Sequence, residues 1–134
     1  MVTTLLLAFN LIISTPTPEA LSQNHDFWIA QLQNNSPDIR MNALDKLGEL
    51  RNPSSIPKLS ESLQDPDARV RFHAIQALSK FVLPEALTAL QARVPKGGAP
   101  LESDPYLAAE VRRAVKSIED VQKANEAQAE KKKK

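Results

Sequence analysis

His25 and His73 are the residues best suited by type to acid–base or metal chemistry in this 134-residue chain. A metal site or a proton-transferring pair needs them close together and joined by carboxylates. The sequence sets them on helices of different kinds in different parts of the chain, and His73 is expected to be exposed near Arg69, Gln76 and Lys80. Cysteine is absent, which removes thiolate nucleophiles, zinc–thiolate sites and disulfides. No catalytic residue, cofactor-binding residue or metal ligand is assigned, and the chain reads as non-enzymatic.

The elements that carry these residues repeat. Ser36-Pro37-Asp38-Ile39-Arg40-Met41-Asn42-Ala43-Leu44-Asp45-Lys46-Leu47 returns 31 residues later as Asp67-Ala68-Arg69-Val70-Arg71-Phe72-His73-Ala74-Ile75-Gln76-Ala77-Leu78. The shared positions are Ile39 and Val70, Arg40 and Arg71, Ala43 and Ala74, and Leu47 and Leu78. A fixed period of this size means one supersecondary unit used more than once. The unit is helical: aromatic residues are only 4% of the chain and glycine occurs three times, while Leu and Ala abound. Pro37, Pro66 and Pro105 each follow Ser or Asp, the order expected of an N-cap and a first helical residue.

Helical spacing then lays out three pairs. The first joins a helix within 24–34, with Trp28 and Leu32 in its core, to one whose stripe is Ile39, Ala43, Leu47 and Leu50. Ile56, Leu59 and Leu63 lead the second pair, completed by Val70, Ala74, Ala77, Leu78 and Phe81. Met41 and Leu44, matched by Phe72 and Ile75, form a second apolar edge, so these helices must touch more than one neighbour. The third pair uses Leu87, Leu90 and Val94, then Leu107, Val111, Ala114, Val115 and Ile118, across a longer Pro95–Ser103 connection. Past Asn125 only Ala, Gln, Glu and Lys remain, and a disordered Lys-rich tail is expected over 125–134.

Leu5–Ile13 is an apolar run interrupted by Asn10. It is shorter than the roughly 20 residues a membrane-spanning helix needs, and its length fits the core of a signal peptide. Ala20 and Ser22 supply small residues for cleavage before Gln23, so residues 1–22 are expected to direct export to the periplasm or beyond. Residues 2–4 lack the usual positive charge; the alternatives are an upstream start, or an extra helix capping the stack of a cytoplasmic protein.

The Asp65-Pro66-Asp67-Ala68-Arg69-Val70-Arg71 stretch with Ala74 and Leu78 resembles HEAT-like repeats, the short-helix-pair type of bacterial proteins and phycobilisome-lyase relatives. Ala43 to Leu50, followed by Arg51-Asn52-Pro53 and Ile56-Pro57-Lys58-Leu59, is similar to the same repeat. The likeness runs from about Phe27 to Asp120 and departs in the third unit, where Ala114 follows Val111 by three residues instead of four. It implies an all-α fold, a short α-solenoid of about three HEAT-like helix pairs over 23–124. The repeated stack itself points to a protein-binding or scaffolding role; the likeness says little of function. The alternative it carries is a subunit or relative of a phycobilin lyase-type enzyme.

Arg40, Arg71 and Arg112 recur at matching places. Either they form a basic ladder for an acidic partner, or each pairs with a carboxylate such as Asp38 or Asp67 to tie repeats together; recurrence inside the repeated unit favours the second. The expected partner-binding face is instead the variable polar row: Asn42, Asp45 and Glu49, then His73, Gln76 and Lys80, then Arg113 and Lys116. Between 24 and 120 there are 12 Lys and Arg against 13 Asp and Glu, whereas the remaining C-terminal residues carry five Lys against two Glu. A near-neutral body argues against a nucleic-acid groove. Lys131–Lys134 leave a weak contact with nucleic acid or an anionic surface as the other alternative.

Overall fold

The computed structural model describes residues 24–94 and 102–132. The N-terminal apolar run, the Pro95–Leu101 part of the third connection, and Lys133 and Lys134 lie outside the described residues. Among the described residues are six α-helices: α1 (His25–Gln31), α2 (Pro37–Leu50), α3 (Ile56–Ser62), α4 (Ala68–Ser79), α5 (Pro84–Arg93) and α6 (Pro105–Lys131). They pair as α1/α2, α3/α4 and α5/α6, and α2, α4 and α6 pack in succession to form the spine of a short solenoid.

Local chemistry sets the helix starts. Asn24 caps α1 by accepting from the N–H groups of Asp26 and Phe27, and Asp104 caps α6 by accepting from those of Tyr106 and Leu107. The Asp65-Pro66 pair does not open α4, as its spelling suggests. Asp65 accepts the Asp67 N–H at 2.9 Å, so Asp67 becomes the N-cap, bonding the Arg69 N–H at 2.8 Å, and the helix starts at Ala68. At the other end of α2, Arg51 sits in the left-handed region with φ 48°, its N–H bonded to the Leu47 carbonyl. That conformation costs an L-residue about 1 kcal/mol and costs glycine almost nothing. Arg51→Gly is therefore expected to raise stability by about 1 kcal/mol, read as an upward shift of the urea midpoint at constant slope.

The core is one continuous cluster running through all three pairs, with Leu44, Leu47, Leu59, Ile75, Leu78, Leu90, Val111 and Ile118 fully buried. Each such side chain contributes about 1.5–3 kcal/mol of transfer free energy. Gly48 lies where α2 meets α4: a Cβ there would stand 3.1 Å from the Ala77 Cα. The missing side chain lets the two helices approach closely, which offsets the roughly 1 kcal/mol that mid-helix glycine costs.

Three further expectations are corrected. Ile39 and Val70 share a place in the repeat, yet Val70 is 1% exposed and Ile39 40%. Helix α4 is enclosed by α2, α3, α5 and α6, while α2 packs chiefly against α1 and α4, so the first layer leaves Ile39 uncovered. Next, α6 aligns with α4 through its cap. Leu107, Val111, Ala114 and Ile118 take the buried places of Val70, Ala74, Ala77 and Phe81, a displacement of 37 residues. Arg112 is therefore exposed, and the place of Arg71 is taken by Ala108. Finally, α6 runs on to Lys131, past the Asn125 point where fraying is expected, because Ala, Gln, Glu and Lys are strong helix formers even when exposed.

Candidate interaction surface

The repeated arginines are structural ties. Arg40 makes a two-pronged contact with Asp65, Nε and Nη2 each donating at 2.9 Å, while its Nη1 donates to the Asn34 carbonyl at 2.8 Å. Arg71 does the same one layer on, donating to both Glu102 oxygens at 3.0 and 3.3 Å and to the Asp65 carbonyl at 2.9 Å. Each guanidinium thus clamps the loop before its own helix to the loop of the following pair, a geometry that suits its planar fork. The accepting residues are Asp65 and Glu102, not Asp38 or Asp67 as expected. They are the residues two before each N-cap, and each also accepts that cap's N–H. Asn34 holds the same place in the first layer, accepting the Ser36 N–H, and is an uncharged amide where no arginine precedes it.

The expected polar row splits into linked and unlinked members. His73 Nδ1 lies 2.8 Å from Asp45 Oδ1, joining α4 to α2; since an ionised carboxylate can only accept, Nδ1 carries the proton. Gln76 donates to Glu110 at 2.7 Å, and Arg113 donates to the other oxygen of the same carboxylate, joining α4 to α6. His73 and Gln76 are half-buried by these ties, so His73 is not the exposed residue the sequence suggests. Glu49 bonds Lys46 at 3.0 Å, and that contact holds its carboxyl below the usual range, with a smaller pull from Lys80. Asn42 and Lys116 are exposed, and Lys116 pairs along its own helix with Asp120. Exposed pairs of this kind are worth about 0–1 kcal/mol, so they shape the surface more than they stabilise it.

Beside this row the structure opens a groove, with a volume of about 440 Å³, over the first turns of α4 and α6. Met41, Phe72 and Leu107 form its apolar lining, Tyr106 stands 66% exposed at one side, and Arg69, His73 and Asp104 lie on its rim. The Phe72 and Tyr106 rings are 6.1 Å apart between centroids, and His73 meets Phe72 edge-on. Arg69 is held between Asp67, at 2.8 Å, and Asp38, at 3.5 Å. The Arg69 guanidinium and backbone N–H together push the Asp67 carboxyl down to about 2. Because that value lies below the unfolded one, this contact supports the fold at neutral pH, and the support is lost progressively as pH falls from the ordinary aspartate range through about 2. Sequence spacing treats Met41 and Phe72 as core and passes over Tyr106. The one available signal is a lone tyrosine placed off the apolar stripe of α6.

His25 shows a triad-like chain of contacts: Nδ1 is 3.1 Å from Asp26 Oδ1 and Nε2 2.9 Å from Ser55 Oγ. The Ser55 side chain is completely buried and Asp26 is exposed, so the chain of contacts ties α1 to the Pro53–Ser55 turn. Trp28 is buried, edge-to-face with Phe27 at 4.9 Å. Among the described residues no group of three or more His, Asp or Glu is placed to hold a metal ion, and no helix is long and apolar enough to cross a membrane.

Paired helices in register, a shared core and arginine ties between successive loops define a short all-α repeat solenoid with a laterally stitched polar surface. A family model for HEAT repeats matches residues 26–114, about two-thirds of the chain, and the chain belongs to that family. No curated protein matches it. HEAT repeats are generally protein-interaction modules.

Proposed function

We propose that this chain is a non-enzymatic module that holds a protein partner against the face of α2, α4 and α6. The observation that carries this reading is the stitching of three successive helices into one surface through Asp45–His73 and Gln76–Glu110–Arg113. Cross-helix links of this kind preorganise side chains, which lowers the entropy cost of binding. Solenoids bind along such continuous faces.

Capture of partners from the native host on the immobilised chain tests it. Replacing His73, Gln76 and Lys80 together by alanine is expected to reduce capture about tenfold, or more, while leaving the chain folded, since buried Glu110 keeps Arg113 as its partner when Gln76 is lost and the half-buried His73–Asp45 contact is worth about 1 kcal/mol. Unchanged capture by the folded variant would move the site elsewhere. The same readouts sort the alternatives: a bilin absorbance shift on mixing indicates the lyase class, and duplex binding that falls steeply with salt indicates the basic tail. Export belongs to this proposal too, and N-terminal sequencing of the mature chain beginning at Gln23 is the result it requires.

A further inference from the structure

We propose that the groove between α4 and α6 takes an extended peptide that carries an aliphatic side chain next to a lysine or arginine. This rests on the interaction-module reading and names the chemistry of the partner. Three observations converge on it. The lining of Met41, Phe72 and Leu107 is apolar and the cleft, at about 440 Å³, falls within the range of specific binding pockets. An exposed aromatic, Tyr106, stands over that lining beside Phe72, and a ring face attracts a cation.

The charge of the rim supplies the third. Four carboxylates, Asp38, Asp45, Asp67 and Asp104, border the groove or bond to side chains that do, against one arginine, Arg69; four negative and one positive leave a formal −3. Arg69 is already engaged by two of them, so its charge is largely compensated and an acidic ligand gains little from it, whereas a cationic ligand meets the net negative field. The Asp38 side chain is 75% exposed and open to it. The three helix N-termini at this edge do not reverse the sign, since Asp67 and Asp104 cap two of them and Asp38 occupies the first turn of the third. The aliphatic side chain would enter against Phe72 and Leu107, and the cation would lie over Tyr106 beside Asp104, in the field of Asp38 across Arg69.

A random-peptide display selection on the full chain, followed by anisotropy titration of the enriched peptides, tests this directly. The expected result is enrichment of sequences pairing Lys or Arg with Leu, Ile or Val. Tyr106→Ala, at an exposed position, is expected to weaken binding about tenfold without altering the melting curve. Asp38→Asn is expected to weaken it about threefold at low salt and less at high salt, and Lys58→Ala, on α3 away from the groove, to leave it unchanged. Enrichment of acidic peptides, binding that ignores Tyr106→Ala, or no enrichment at all overturns the proposal. Host-partner capture is a separate measurement: if it persists while peptide selection fails, the module reading stands and only the groove is wrong.

Discussion

Arg71→Ala is expected to destabilise the protein by about 3–5 kcal/mol, the usual cost of removing one partner from a buried ion pair. Its partner Glu102 is 4% exposed, so the deletion strands a carboxylate that water barely reaches. Among the described residues, the Asp104 N–H and Arg93, at 3.7 Å, are what remain beside it. For a domain of this size the melting temperature should fall by on the order of 10 °C. Replacing both partners with methionine should recover most of the loss, because it removes the charge together with its counter-charge. Arg112→Ala is the informative comparison. The sequence aligns Arg112 with Arg40 and Arg71, but it is exposed and outside the ladder, so its loss should change stability by no more than about 0.5 kcal/mol. Equal effects from Arg71 and Arg112 in chemical denaturation would contradict the register described above.

Leu78→Ala is expected to cost about 2–5 kcal/mol, the transfer free energy of the lost carbons plus the cavity they leave. Leu78 is fully buried on α4, the helix enclosed by four others, so little can collapse into the space. Stability in such an array is a sum over layers and their interfaces, and a defect in the middle layer weakens both interfaces at once. Ile39→Ala, in the first layer and 40% exposed, should cost roughly 1 kcal/mol. Helicity and tryptophan fluorescence followed together would check this, since Trp28 reports on α1 and helicity on the whole stack. A Leu78→Ala loss no larger than that of Ile39→Ala would mean the core is not shared across layers.

The candidate surface was half legible in the sequence. Its members on α2 and α4 follow from counting along two helices whose registers the repeat itself supplies, so Asp45, His73 and Gln76 come out on one side. The groove could not be read this way, because half-buried Met41 and Phe72 and exposed Tyr106 come from three different helices. Whether an apolar side chain lines a core or a cleft depends on how far apart the helices stand. Leu44 and Ile75, on the same expected edge as Met41 and Phe72, are buried.

The amino-acid order alone determined the helices, their pairing, the 31-residue unit and the apolar columns. Each of these is set within a turn or two of chain, by cap residues, proline placement and 3.6-residue spacing. Tertiary structure alone decided the rest. It gave Arg40 and Arg71 to Asp65 and Glu102, put Ala108 and not Arg112 in the ladder, left Ile39 uncovered and opened the aromatic groove. Those outcomes join residues about 25 to 35 positions apart across a connection whose length changes in the third pair. No local periodicity carries a register across such a change, and only the packing of one layer on the next restores it.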